Sequence, residues 1–116
     1  MTDTALPESI QSELNVGKDA RAAGNEGRAR VHARRAAGEA ARMYRTVYFA
    51  SGRHLNAFRH LQHIAVDINL PGDLRAAAAR LTERVRPDHT LPHAEDPLDD
   101  ARMLAAALLS RLPEEG

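Results

Sequence analysis

Cysteine is absent from the 116 residues. That excludes a disulfide framework and any thiolate metal site, and it accords with a reducing compartment. Tryptophan is absent as well, and the aromatics amount to Tyr44, Tyr48, Phe49 and Phe58, so there is little from which to build a sheet. No apolar run approaches the length of a bilayer-spanning helix. The opening stretch, Met1 to Glu13, lacks the basic start and apolar centre of a secretory signal. Together these absences lead us to expect no membrane association and a cytoplasmic location. Lysine occurs once against fifteen arginines, a bias that genome base composition alone can produce.

What is present is alanine, 22 residues, and leucine, 13, the strongest helix formers. An Ala/Leu core buries little area per residue, so a lone copy gains from covering a further face with a partner. The formal net charge is zero, but its distribution is uneven. From Arg21 to Arg59 nine arginines stand against Glu26 and Glu39, while from Pro87 to Gly116 seven acids stand against Arg102 and Arg111. A basic middle attracts phosphate or an acidic partner, although charge runs on helices are more often simply solvated.

Hydrophobic periodicity predicts five helices. The first covers about 7–23, with Pro7 at its start and Ile10, Leu14, Ala20 and Ala23 inward; Gly24-Asn25 ends it. The second covers about 26–50, roughly 37 Å long. Ala29, Ala33, Ala36, Ala37, Ala40, Tyr44, Val47 and Tyr48 form its seam, and Gly38 sits within that seam at some cost in stability. Arg28, Arg34, Arg35, Arg42 and Arg45 fall largely on its other side. The third covers about 53–68 with Leu55, Phe58, Leu61, Ile64, Ala65 and Ile68 inward. The fourth covers about 72–85, between the breaker at Leu70-Pro71-Gly72 and Pro87, with Leu74, Ala77, Ala78, Leu81 and Val85 inward. A loop at about 86–97 leads into a last helix opened by Asp96-Pro97, whose face is Leu98, Ala101, Leu104, Ala105, Leu108 and Leu112. Short connections favour antiparallel neighbours. The expected fold is therefore all-α, an up-and-down bundle of four or five helices in a single domain over 1–116, with a flexible N-terminus.

Several pieces fall in an order that resembles a known family: the alanine seam from Ala29 to Ala40, the Leu70-Pro71 step, Leu81-Thr82, Arg86-Pro87-Asp88, and Asp99-Asp100-Ala101. Over about 19–112 the chain resembles the HEPN (higher eukaryotes and prokaryotes nucleotide-binding) domain. The resemblance implies a homodimeric helical module that associates with RNA or nucleotide, or with a nucleotidyltransferase protein. Some members are toxin-like, metal-independent endoribonucleases whose signature is an Arg followed, after four to six intervening residues, by a His. There Arg steadies phosphate charge and His moves a proton. Arg53 with His60, Arg84 with His89, and Arg86 with His93 have that spacing, and fifteen Arg with six His supply such pairs readily by chance. Position in the family favours the late pairs, so the catalytic candidates are Arg84, Arg86, His89 and His93. Pro87 and Pro92 interrupt the backbone that would hold them.

The remaining constellations are weaker. His60, His63 and Asp67, with His54 nearby, share one helix face at the spacing of metal ligands, yet no facing Glu-x-x-His partner completes a bundle metal site. His32 lies between Arg28 and Arg35. Tyr44 and Tyr48 could stack on a base, but at helical spacing such residues are usually core. No phosphate-binding glycine loop or Ser-His-Asp set occurs. We therefore expect a non-catalytic HEPN-like binding module that uses Arg28, Arg34, Arg35, Arg42 and Arg45 for anions and requires no cofactor or metal. The alternatives are the active endoribonuclease and a purely structural protein–protein interaction domain.

Overall fold

A helix whose inward positions are alanine lets its neighbours approach closely, and the second helix is packed on four sides. The computed structural model describes residues 6–49, 54–84 and 94–113. It contains α1 (Glu8–Ala22), α2 (Glu26–Phe49), α3 (Ala57–Ala65), α4 (Gly72–Thr82) and α5 (Pro97–Leu109), with no strand among the described residues. The all-helical bundle is as the periodicity predicts. No helix among these residues is long and apolar enough to cross a membrane.

Local chemistry sets the helix ends. At the end of α1, Gly24 adopts φ +84°, and Asn25 N–H donates to Ala20 O at 2.8 Å; only a residue tolerant of the left-handed region closes a helix this way. The Asn25 side chain then accepts from Arg28 N–H at 2.9 Å and starts α2. Asn56 caps α3 by accepting from Arg59 N–H at 2.9 Å, and Asp96 caps α5 by accepting from Leu98 N–H at 2.8 Å. Pro71 precedes α4, its fixed φ serving as the lead-in.

α2 is the axis, and α1, α3, α4 and α5 all pack against it. α1 runs antiparallel to it, so Glu13 meets His32. α4 is antiparallel too, its end meeting Arg30 and Arg34. α5 runs with α2, and Tyr48 Oη–H donates to Arg111 O beyond α5. α3 departs from strict up-and-down order. It begins beside the middle of α2, Ala57 against Gly38, and reaches Arg45 at His60, advancing in the same sense as α2.

The core consists of Ile10, Leu14, Leu61, Ile64, Leu74, Leu81, Leu104 and Leu108 around the alanines of α2 and α5. Four sequence expectations shift. α3 is shorter than the periodicity suggests because Asn56 fixes its start. At its other end, Val66 N–H and Asp67 N–H donate to His63 O and Ile64 O, three residues back, so the chain has left the α-helix before Ile68, which is 85% exposed. Ala23 is exposed, lying past the end of α1. Val47 and Tyr48 are half exposed, since the last turn of α2 outruns its neighbours. Val85 lies outside the described residues.

Two glycines mark the closest approaches. A Cβ on Gly38 would stand 2.2 Å from Ala57 Cβ and 2.7 Å from Ala57 Cα, whereas a Cβ on Gly17 would meet Leu98 Cδ2 at 2.8 Å and Ala29 O at 3.3 Å. The first obstacle includes backbone, while the nearest obstacle to the second is the end of a side chain that can turn. Gly38→Ala is expected to destabilise by about 1–3 kcal/mol through overpacking, despite a gain of about 1 kcal/mol in helix propensity. Gly17→Ala should lie within about 1 kcal/mol of neutral because those two terms nearly cancel there. Urea unfolding of the two variants checks this, and a Gly38→Ala protein as stable as the parent would show that α3 does not dock as closely as described.

Candidate anion-binding stripe and cleft

The five arginines that cluster in sequence divide by helical phase. Residues seven apart are nearly two turns apart and share a face, so Arg28, Arg35 and Arg42 make one line. Arg34 and Arg45, eleven apart, make another roughly 100° away. The second line is occupied by the fold. Arg34 Nε–H donates to Leu81 O at 3.1 Å, and its guanidinium lies 5.8 Å from the Phe58 ring centroid. Arg45 donates to His60 Nδ1 at 3.1 Å and lies 5.8 Å from the Phe49 ring centroid. Arg30 turns the same way, donating to Arg80 O at 3.2 Å and to Glu83 O. Arg30 and Arg34 thus satisfy carbonyls that the end of α4 leaves open. Burial pulls both guanidinium pKa values down, Arg30 further through its neighbour Arg34.

Two members of the first line remain available. Arg28 and Arg35 are exposed, and neither guanidinium has a partner among the described residues. Arg42 is held by Glu39 through two contacts of 2.9 and 2.6 Å; that bond holds the Glu39 carboxyl below its usual range and raises Arg42.

Of the catalytic candidates, Arg84 is exposed just beyond α4, while Arg86, His89 and His93, like Arg53, lie outside the described residues. The flanks of that segment are anchored. Arg21 donates to Asp96 at 2.7 and 3.0 Å, and Arg80 makes a paired contact with Asp100, both at 2.9 Å. Burial works against the Asp96 charge, but hydrogen bonds from Arg21 and Leu98 N–H outweigh it and leave the carboxyl below its ordinary value.

His60, His63 and Asp67 do not converge on a metal position, and the described residues contain no cluster of three or more such ligands. α3 ends before Asp67, whose side chain accepts from Asn69 N–H instead, and His60 faces the cation of Arg45. Tyr44 is buried in the core, and the half-exposed Tyr48 ring packs on it at 4.9 Å between centroids, tilted by 43°. His32 is buried, its Nδ1 2.7 Å from Glu13 Oε1.

An open cleft of about 390 Å³ lies where α1, α2 and the start of α3 meet, walled by Ser9, Glu13, Arg35, Glu39, Arg42 and His60, with Gly38, Leu55 and Ala57. No pattern along the chain announces it, because it depends on α3 starting beside Gly38. His60, 1% exposed, belongs to its wall. A guanidinium can only donate, so His60 Nδ1 accepts from Arg45 and the ring proton sits on Nε2. That Nε2 is buried without a hydrogen-bond partner. Burial lowers the His60 pKa, and the cations of Arg45 and Arg42 and the neighbouring His63 lower it further against the opposing charge of Glu39.

Comparison with protein-family models, with curated proteins and with solved structures gave no match.

The His60 shift has a consequence for stability. Its folded pKa lies below the ordinary 6.5. Above that pH both folded and unfolded chains hold the ring neutral, and the full stability is present. Below it the unfolded chain takes up a proton that the fold refuses, so stability falls as pH drops. Glu39 and Asp96 titrate only below 4.5 and 3.8 and leave this window alone. Urea midpoints should fall between pH 7.5 and 5.5, and His60→Gln should flatten that slope. An unchanged slope in the variant would remove His60 as its source.

Proposed function

We propose that this chain is a HEPN-like, non-catalytic helical binding module that holds RNA by its phosphates at Arg28 and Arg35, on the face that Arg42, engaged by Glu39, continues. The observation that carries the reading is the division of the arginines. Arg30, Arg34 and Arg45 are consumed by the fold, while Arg28 and Arg35 stand exposed and unpartnered on one face of α2. The two unpartnered arginines stand about 10 Å apart along the helix at 1.5 Å per residue, enough to meet separate phosphates of one strand. Arg suits this task because its fork of donors matches phosphate oxygens. Zero net charge means that the attraction is local to this face and carried by short-range contacts.

The module acts as a homodimer in this reading. Val47, Tyr48 and Phe49 at the end of α2 are each about half exposed, and Val66 and Ile68 beyond α3 are 71% and 85% exposed. Apolar groups gathered near one end of a small bundle favour a partner. A second copy is the first candidate, and the nucleotidyltransferase implied by the resemblance is the other.

Fluorescence anisotropy with a labelled single-stranded RNA tests the stripe. Affinity should fall linearly with salt on logarithmic axes, and each of Arg28→Gln and Arg35→Gln should reduce that slope by about 0.7. Arg34→Gln should lower stability and leave the slope intact. Binding that is indifferent to both stripe variants would mark the face as merely solvated. The purified chain should leave the RNA uncut; cleavage that survives a chelator would reverse the order of this reading and the ribonuclease. Sedimentation at micromolar concentration should give twice the 12.7 kDa of one chain, and a monomer alone would remove the dimer.

A further inference from the structure

α5 meets α1 at Leu14, Gly17 and Arg21. A second face of α1, roughly 100° around the helix, carries Ser9, Glu13, Val16, Ala20 and Ala23 at four- and three-residue spacing. On α2 the residues Arg28, His32, Arg35 and Glu39 recur in the same way. Where these two faces meet there are two hollows. One is the cleft of about 390 Å³ that Arg35 lines together with Ser9, Glu13 and Glu39. The other, about 240 Å³, lies nearer the turn between the helices and is lined by Val16, Asp19, Ala20, Ala23, Asn25 and Arg28. His32, four residues after Arg28 and three before Arg35, meets Glu13 at 2.7 Å and lies between them. Each unpartnered arginine of this face thus lines a hollow of its own.

Each hollow also contains a carboxylate with acceptor capacity to spare. The Asp19 side chain is exposed and has no partner among the described residues. Glu13 uses Oε1 on His32 and leaves Oε2 without one. Carboxylates repel phosphate, so a strand's phosphates belong on the arginines and its neutral parts in the hollows. We propose that a single strand lies along this face with phosphates on Arg28 and Arg35 and turns amino-bearing bases into the two hollows, Asp19 and Glu13 accepting from their exocyclic amino groups. The inference rests on the RNA reading and adds to it a preference among bases. A carboxylate accepts from the amino group of cytosine, whereas uracil presents a carbonyl oxygen at that position and is repelled. No Phe or Tyr lines either hollow, so the bases are held by their edges and by contact with Val16, Ala20 and Leu55 rather than by stacking on a ring.

Fluorescence anisotropy of the full chain at pH 7.5 tests this with three labelled strands of equal length: oligocytidylate, oligouridylate and a ribose–phosphate strand without bases. Oligocytidylate should bind at least fivefold more tightly than oligouridylate, and the abasic strand no more tightly than oligouridylate. Asp19 makes no side-chain contact with the fold among the described residues, so Asp19→Ala leaves the helices in place. It should shrink the ratio between the first two strands at least twofold without weakening oligouridylate. Arg28→Gln acts on phosphate and should weaken all three strands by a similar factor. Equal affinity for the cytidine and uridine strands, or a ratio that Asp19→Ala does not move, would overturn this inference while a salt slope that depends on Arg28 and Arg35 leaves the RNA reading standing. Binding of none of the strands would overturn both.

Discussion

Six alanines on α2, Ala29, Ala33, Ala36, Ala37, Ala40 and Ala41, are fully buried, and the rest of the molecule depends on how close that seam lets other helices come. Small side chains on a central helix allow four neighbours to surround it, where leucines at the same positions would hold them apart. The cost is a core with little apolar area per residue. Stability must then come from many close contacts and from satisfied polar ends. The Gly38–Ala57 approach is the tightest of these contacts, and it determines where α3 lies.

A helix surrounded in this way has almost no face left for long charged side chains, yet α2 carries six arginines between Arg28 and Arg45. Those on the crowded side find oxygen or nitrogen acceptors within the protein, as Arg30 and Arg34 do at the end of α4 and Arg45 does at His60. Their stems pack while their heads serve as caps. The free side retains Arg28 and Arg35. Charge that looks uniform in the sequence is therefore divided by helical phase into structural and available halves. The same economy appears at Arg21, which joins the end of α1 to the cap of α5, and at Arg80, which joins α4 to α5.

The helices were legible because their apolar residues recur every three or four positions, and Gly24, Pro71 and Asp96 mark ends. The limits of α3 were not, because Leu55 and Ile68 continue the apolar stripe through turns that are no longer helical. The order of α2 and α3 was also hidden. Connection length suggests an antiparallel pair, whereas the docking of Ala57 on Gly38 is a matter of shape between residues nineteen apart. The division of the arginines could have been found by phase alone, since heptad spacing separates Arg28, Arg35 and Arg42 from Arg34 and Arg45. The partners on α4 could not, because they are backbone carbonyls, which no side-chain pattern announces. The Arg86, His89 and His93 candidates lie outside the described residues.

His60 shows how these constraints combine into chemistry. Its spacing to His63 suggests a metal ligand, but a ligand nitrogen must be open to the ion, and Arg45 closes Nδ1. Arg45 holds that position because α3 advances along α2, and α3 advances there because Gly38 has no side chain. The remaining nitrogen is then fixed as a buried donor without a partner. A larger residue at position 38 would push Ala57 outward, open the space beneath it and release His60 from Arg45. Stability and tautomer are in this way tied to one missing methyl group.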